Sequence, residues 1–331
     1  MRGIKIAVAA VLVILVVVVA WGLYGYYGTV DLGDRVVTVI VQTGDTFESV
    51  AERIIDRGVV RSRMMLVYPA RLRNIDRKLT PGRYDFTGRN SCRSVLRKLE
   101  DADFVRIRVT VPEGSTVWDV AAIMRSKLDL DSAAFVGLSN DSVFLLRLGV
   151  PCLEGRLYPE TYFFPWGMTA EQVVIEMYEA FRGHTDSMLV GDLPLGLSPA
   201  DIIKLASIIE AETRLDSERT LVASVYLNRL ERNMKLDADP TVIYGLGGLK
   251  RPLLRRDLSR ETPYNTYIHK GLPPTPINSP GLAAIAAAAN PAETEYLYFV
   301  ADNTGGHQFS RTNAEHNRAK RRIRQARESG G

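Results

Sequence analysis

The strongest hydropathy signal lies at the start of the chain. Residues Ile6 to Tyr27 carry no charge and are dominated by Val, Ile, Leu and Ala. As a helix such a run spans about 33 Å, enough for the hydrocarbon core of a bilayer. Arg2 and Lys5 precede it and Asp31 and Asp34 follow it, an asymmetry that predicts a cytoplasmic N-terminus with the rest of the chain outside. Trp21, Tyr24, Tyr26 and Tyr27 fit an aromatic belt at the outer interface. The competing reading is a cleaved signal peptide, but the run is longer than a usual h-region and no clean small-x-small site precedes the aromatics. The expectation is residues 1–5 inside, a single-pass anchor at 6–27, and two exported domains.

Beyond the anchor the pattern turns amphipathic and repeats once. Val39-Ile40-Val41-Gln42-Thr43-Gly44-Asp45-Thr46 is echoed by Val109-Thr110-Val111-Pro112-Glu113-Gly114-Ser115-Thr116, and each leads into a Val-Ala pair, Val50-Ala51 and Val120-Ala121. Both read as a strand, a glycine turn and a helix opened by Asp45 or Ser115 as N-cap. Duplication and shared turn chemistry explain the echo equally well. The first copy continues as a helix from Phe47 to Arg57 and returns through Gly82 to Phe86, which defines a small α+β module over 28–106. From 107 to 331 the expectation is a mainly helical domain. Helices are predicted at 115–126, 170–182, 199–212, 217–233 and 280–289, with a strand at Glu295 to Val300 and a basic last helix. Residues 234–280 are rich in Gly, Pro, Asn and Asp and suit an irregular cleft wall. The fold class is α+β.

The helix at 199–212 has a sharp start: Ser198 as cap, Pro199 in the first turn and Asp201 three residues after the cap. Ile202, Leu205, Ile208 and Ile209 form a stripe for burial, while Ile203, Ala206, Ser207 and Glu210 share the neighbouring face. The small Ala206 and Ser207, one turn before Glu210, leave space beside it for a bulky ligand or for close helix packing. A carboxyl among aliphatics suits a general acid; the plainer reading groups Glu210, Glu212 and Arg214 as a solvated helix end.

Composition narrows the chemistry. The net charge is only +4, although Arg318 to Arg327 is strongly basic. For an exported domain this reads as a solvated helix face or a contact for anionic lipid or wall polymer, not for nucleic acid. The four histidines and two cysteines show no metal spacing, and nothing calls for a cofactor. Cys92 and Cys152 read equally as one disulfide or as two buried thiols. Phosphate loops, Rossmann glycines and G-x-S-x-G are absent from the sequence. What the chain offers is sugar-like chemistry. Glu154, Tyr158, Glu160 and Tyr162 cluster around Pro159, and Asp239, Thr241 and Tyr244 follow Asp237. Asn265 sits in Tyr264-Asn265-Thr266-Tyr267, ahead of Gly271-Leu272-Pro273-Pro274. Aromatic faces with hydroxyl, amide and carboxyl groups suit a long polar polymer.

These segments occur in one order: the anchor, the module, Glu154-Gly155-x-x-Tyr158-Pro159-Glu160-Thr161-Tyr162, Leu205-Ala206-Ser207-Ile208-Ile209-Glu210, Asp239-Pro240-Thr241-Val242-Ile243-Tyr244-Gly245, Tyr264 to Tyr267, Gly271 to Pro274, and Phe299-Val300-Ala301-Asp302-Asn303-Thr304-Gly305-Gly306-His307-Gln308-Phe309. Taken together, over essentially the whole chain, they resemble the bacterial endolytic peptidoglycan (murein) transglycosylases, the MltG/YceG-like family. Asp237 stands where the family more often has glutamine, and Thr275 where it has glycine.

The resemblance implies a LysM-like module and a lytic-transglycosylase-like catalytic domain at the bacterial inner membrane. It implies partners in peptidoglycan glycan strands, membrane lipid and peptidoglycan synthases. It also implies cleavage between N-acetylmuramic acid and N-acetylglucosamine with 1,6-anhydromuramoyl ends, and Glu210 as the catalytic residue. Glu160, Asp239 and Tyr244 are then candidates for steadying the sugar cation, Thr241 and Asn265 for hydrogen bonds, and His307 for a loop or the cleft wall. The alternatives are a muramidase-type hydrolase using Asp239 or Glu160 to activate water, and a non-catalytic glycan-binding scaffold.

Overall fold

The computed structural model describes residues 2–42, 44–302 and 304–329; Met1, Thr43, Asn303, Gly330 and Gly331, and the side chains of residues 2–5, 7, 8 and 327–329, lie outside the described residues. The chain divides into two compact units, Met1–Ile107 with Phe163–Met168, and Arg108–Tyr162 with Thr169–Gly331.

The first unit begins with α1 (Arg2–Tyr27), long and apolar enough over Ala9–Tyr27 to cross a membrane. Val11 to Val19 and Leu23, among its described residues, are exposed. β1 (Val30–Asp31) pairs with β4 (Arg89–Asn90), and β2 (Val37–Val41) runs antiparallel to β3 (Gly82–Phe86), with Val37 opposite Phe86 and Val41 opposite Gly82. Alternate residues Val37, Val39, Val41, Tyr84 and Phe86 point inward. They pack on α2 (Phe47–Asp56), α3 (Arg63–Leu72) and α4 (Cys92–Glu100) through Val50, Ile54, Leu66, Leu96 and Leu99. The base of α1 is seated on this module: Arg61 Nη1 donates to the Tyr24 hydroxyl at 3.1 Å, and Gly25 lies so close to Met65 that a Cβ would come within 2.9 Å of its Cγ.

The chain enters the second unit through β5 (Arg106–Thr110) and continues through α5 (Val117–Leu128), α6 (Ser132–Gly137), α7 (Ser142–Leu148), β6 (Thr161–Pro165) and α8 (Ala170–Thr185). Then come α9 (Pro199–Glu212), α10 (Asp216–Glu231), α11 (Asp239–Gly245), α12 (Leu282–Ala289), the hairpin β7 (Tyr298–Ala301) and β8 (His307–Ser310), and α13 (Asn313–Ser329). α9, α10 and α12 pack on one another around Ile202, Leu205, Ile208, Val222, Tyr226 and Ile285. Arg229 of α10 is buried and ties this core to two loops, donating to the carbonyls of Leu297 at 2.6 Å and Leu236 at 2.8 Å.

Several sequence expectations need correction. The N-caps of α2 and α5 are Thr46 and Thr116, each one residue later than expected; Thr116 makes a capping box with Asp119. Asp45 instead accepts from the Gln42 amide and pairs with Arg53, and the Ser115 hydroxyl donates to Pro112. The echo therefore holds in structure as strand, positive-φ glycine (Gly44 and Gly114) and threonine-capped helix. The irregular 234–280 stretch contains α11, a seven-residue helix whose β-branched residues and terminal glycine hide its period. The strand expected from Glu295 begins only at Tyr298. Ala206 and Ser207 are fully buried, and α9 packs on the alanine-rich α12; small residues allow such approach, so they do not open space for a ligand. Both thiols are free. The exposed Arg318, Lys320, Arg321 and Arg322 lie on the outer face of α13, whose inner face buries His316 and Ala319.

Candidate functional site

α9 starts as its sequence dictates. Ser198 accepts from the Asp201 amide, Asp201 returns the bond in a capping box, and Pro199 occupies the first turn. About three turns later Glu210 emerges from the buried stripe with its side chain only 8% exposed. Its Oε2 accepts two hydrogen bonds, from Arg219 Nη1 at 2.9 Å and from the Gly281 amide at 3.0 Å. Arg219 sits in the first turns of α10 and is itself 6% exposed; its Nε donates to Asp216 at 2.9 Å. Gly281 caps α12, so the carboxylate also meets the positive end of that helix dipole.

Two turns of chain are stitched around the carboxylate. Ser207 Oγ accepts from the Ile277 amide at 3.0 Å, and the Ser207 carbonyl accepts from Asn278 Nδ2 at 2.9 Å. Gly114 N donates to Ser279 O at 2.9 Å, and Ser279 N donates to Ser115 O at 2.8 Å. Gly114 holds φ +75° and lies against Glu210, where a Cβ would stand 3.8 Å from its Cγ.

Glu210 opens into a cleft of about 740 Å³ that it shares with Glu113, Glu212, Arg214, Arg219 and His307. Glu212 also lines a cavity of about 470 Å³ with Arg229, Asp237, Asp239 and Tyr267. On the other flank, Gly114 and Ala211 are shared with a cavity of about 510 Å³ containing Trp118, Pro240, Ile243 and Tyr244. The three spaces therefore adjoin along the C-terminal end of α9. An elongated, polar, aromatic-edged track suits a polymer better than a compact ligand.

The residues singled out in the sequence divide between this track and the framework. Glu210 and His307 line the central cleft, with His307 Nδ1 2.7 Å from Glu218 Oε2. Asp239 and Tyr244 line the flanking cavities; Asp239 accepts from the Tyr267 hydroxyl at 2.6 Å. The others are brought together elsewhere. Thr241 and Asn265 are fully buried. Thr241 Oγ1 donates to Ala238 O at 2.7 Å, and Asn265 Nδ2 donates to Leu258 O and Arg260 O. Tyr158 stacks on His184 at 4.4 Å, Tyr162 donates to Tyr158 O, and Glu160 lies 3.8 Å from His184. Ser207 is spent on the 277–278 turn, and Glu154 is buried beneath Tyr244, accepting from its hydroxyl at 3.0 Å and from the Val117 amide at 3.2 Å.

Sequence reasoning missed Arg219, Gly281 and Glu113. Glu113 looked like turn chemistry in the echo. It is half-exposed in the cleft, 3.9 Å from Arg219 Nη2, and its carboxyl is raised above the usual range by burial and then by the Glu210 charge.

Two acids, the buried Glu154 and the half-buried Glu212, carry a stability signature. Burial pushes Glu154 and Glu212 up to about 7, against hydrogen bonds from Tyr244 and Tyr226 respectively. A carboxyl raised in the folded state binds its proton more tightly there than when unfolded. Its contribution is complete below about pH 4.5 and is lost as pH rises through about 7, at most about 3 kcal/mol per group. The denaturation midpoint is therefore expected to fall between about pH 5 and pH 8, and Glu154→Gln to flatten that fall; an unchanged slope in the variant contradicts it.

The sequence matches the model of the YceG-like family over residues 39–322. An endolytic murein transglycosylase of Bacillus subtilis (strain 168) is 28% identical over 305 residues, covering 87% of this chain and 84% of the relative. Another, from Streptococcus pneumoniae (strain D39), is 28% identical over 314 residues, covering 85% of this chain and 57% of the relative. The crystal structure of a yceG-like protein from Listeria monocytogenes matches with a TM-score of 0.59 at 29% identity, over 87% of this chain and 100% of that one. With the match running through the module, the Glu210 helix and both turns that enclose it, the chain belongs to the YceG-like family of endolytic murein transglycosylases.

Proposed function

We propose that the protein is a membrane-anchored lytic transglycosylase that cuts nascent peptidoglycan strands internally, at the β-1,4 bond between N-acetylmuramic acid and N-acetylglucosamine. The observation that carries this reading is Glu210, held through one oxygen by Arg219 and Gly281 at the centre of an elongated polar track. α1 anchors the chain in the inner membrane with residues 28–331 outside the cytoplasm. The module at 28–106 is LysM-like, and residues 107–331 form the catalytic domain.

Protonated Glu210 donates to the glycosidic oxygen as the C1–O bond breaks. The carboxylate so formed takes the proton of the muramoyl C6 hydroxyl, whose oxygen attacks C1 of the same sugar. One bond forms and one breaks, the proton returns to Glu210, and no water is consumed. Because the nucleophile belongs to the substrate, the step gains from proximity and needs no water-activating base. Asp239 and Glu160, the acids that a hydrolase would use for that purpose, sit respectively in a flanking cavity and beside His184. Mass spectrometry of the products tests the reaction type. Ends one water lighter than reducing ends are expected; reducing ends alone indicate a hydrolase, and intact strands a scaffold.

A further inference from the structure

The Glu210 cleft holds a charge arrangement that a single proton carrier does not require. Arg219 faces three carboxylates: Nη1 is bonded to Glu210, Nε to the exposed Asp216, and Nη2 lies 3.9 Å from Glu113. Glu113 is placed by the backbone. It precedes Gly114, whose amide bonds Ser279, and its carboxyl lies over Gly281, where a Cβ would come within 1.8 Å of Glu113 Oε1. Gly281 therefore touches both acids, Glu210 through its amide and Glu113 through the space its missing side chain leaves. The other charged groups of the cleft are engaged elsewhere or lie at its end. Glu212 accepts from Tyr226, His307 is paired with Glu218, and Arg214 stands on the exposed turn after α9.

Resting on the proposed acid–base role of Glu210, we infer that Glu113 is a positioning residue, the second seat of the Arg219 guanidinium. To protonate the leaving oxygen, Glu210 has to carry a proton while a buried guanidinium points at it, and that charge needs another partner. Glu113 supplies it from across Gly281. When Glu210 gives up its proton the guanidinium returns to it, matching charge to charge through the cycle. Like-charge repulsion between the two acids works in the same direction; burial raises the Glu113 carboxyl first, and the Glu210 charge adds to it.

The test is the pH dependence of strand cleavage by the full chain in detergent, comparing wild type with Glu113→Gln. Without a second seat, Arg219 stays on Glu210 and the acid form is reached only at lower pH. The alkaline limb of kcat is expected to move down by about one pH unit, with KM unchanged and activity recovering toward wild type on the acid side. Gly281→Ala provides an independent variant. Its φ of −74° accepts alanine and its amide still reaches Glu210, but the Cβ displaces the Glu113 carboxyl. The same limb shift is expected. A proportional loss at every pH in both variants, or an unmoved limb, overturns the inference. Glu210→Gln run alongside separates the two readings: if it is inactive at every pH while the Glu113→Gln limb does not move, only the role of Glu113 fails.

Discussion

Glu210→Gln is expected to lower strand cleavage by about 10³-fold or more, roughly 4 kcal/mol in the barrier. The amide keeps the length of the side chain and an oxygen that can accept from Gly281 and Arg219, so the loss isolates the proton. General acid–base groups are typically worth about 10²- to 10⁴-fold. The upper part of that range applies because the same residue serves both halves of the reaction. A buried guanidinium left facing a neutral amide costs some stability, although Asp216 still bonds its Nε. Rates should therefore be compared under conditions where both proteins are folded by circular dichroism. Turnover within about tenfold of wild type at matched folding would remove Glu210 from the chemistry.

The second large effect is structural. Gly155, the glycine of the Glu154-Gly155 segment, holds φ +79° and is pressed into the 272–277 loop. A Cβ there would lie 2.5 Å from Pro276 Cβ and 3.1 Å from Ile203 Cγ2. Alanine would suffer twice, from the left-handed backbone, about 1–2 kcal/mol, and from overpacking, about 1–3 kcal/mol. Gly155→Ala is expected to lose about 3 kcal/mol in a denaturant titration. Activity should fall with it, since Pro276 opens the segment that carries Asn278 to Ser207 and Gly281 to Glu210. Gly58→Ala is the matched control: it has φ +73° and nothing within 4 Å, and so bears the backbone cost alone. Equal losses at the two positions would show that the Pro276 contact is not close enough to matter.

What the sequence revealed and what it hid follow from the range of the interactions. α9 could be read because a helix start is local: Ser198, Pro199 and Asp201 lie within one turn and satisfy one another's backbone groups. α1 could be read because composition alone decides it. The partners of Glu210 could not. Gly281 lies 71 residues from it, and Arg219 lies across a helix–helix turn on α10. The first lies beyond any local window, and the second, nine residues on, depends on how α10 folds back against α9. The 154–162 segment shows the opposite failure. Its tyrosines and acids suggested a sugar platform, but side-chain type fixes polarity and not direction. The fold turns Tyr158 and Tyr162 inward, with the Tyr162 hydroxyl bonded to the Tyr158 carbonyl. Thr241 and Asn265 likewise had the right groups for a glycan and use them to fasten their own loop.

The paired bonds between α9 and the segment ahead of α12 bear on how this chain can vary in length. Asn278 reaches the carbonyl of Ser207, and three residues further along each strand of chain Gly281 reaches Glu210. The two segments thus count in step, like the jaws of a caliper. Surface loops ordinarily absorb insertions and deletions at little cost. Between Asn278 and Gly281 a single added or lost residue would instead put the second bond out of register while leaving the first intact, so natural length changes should collect before Ile277 or after Ala289.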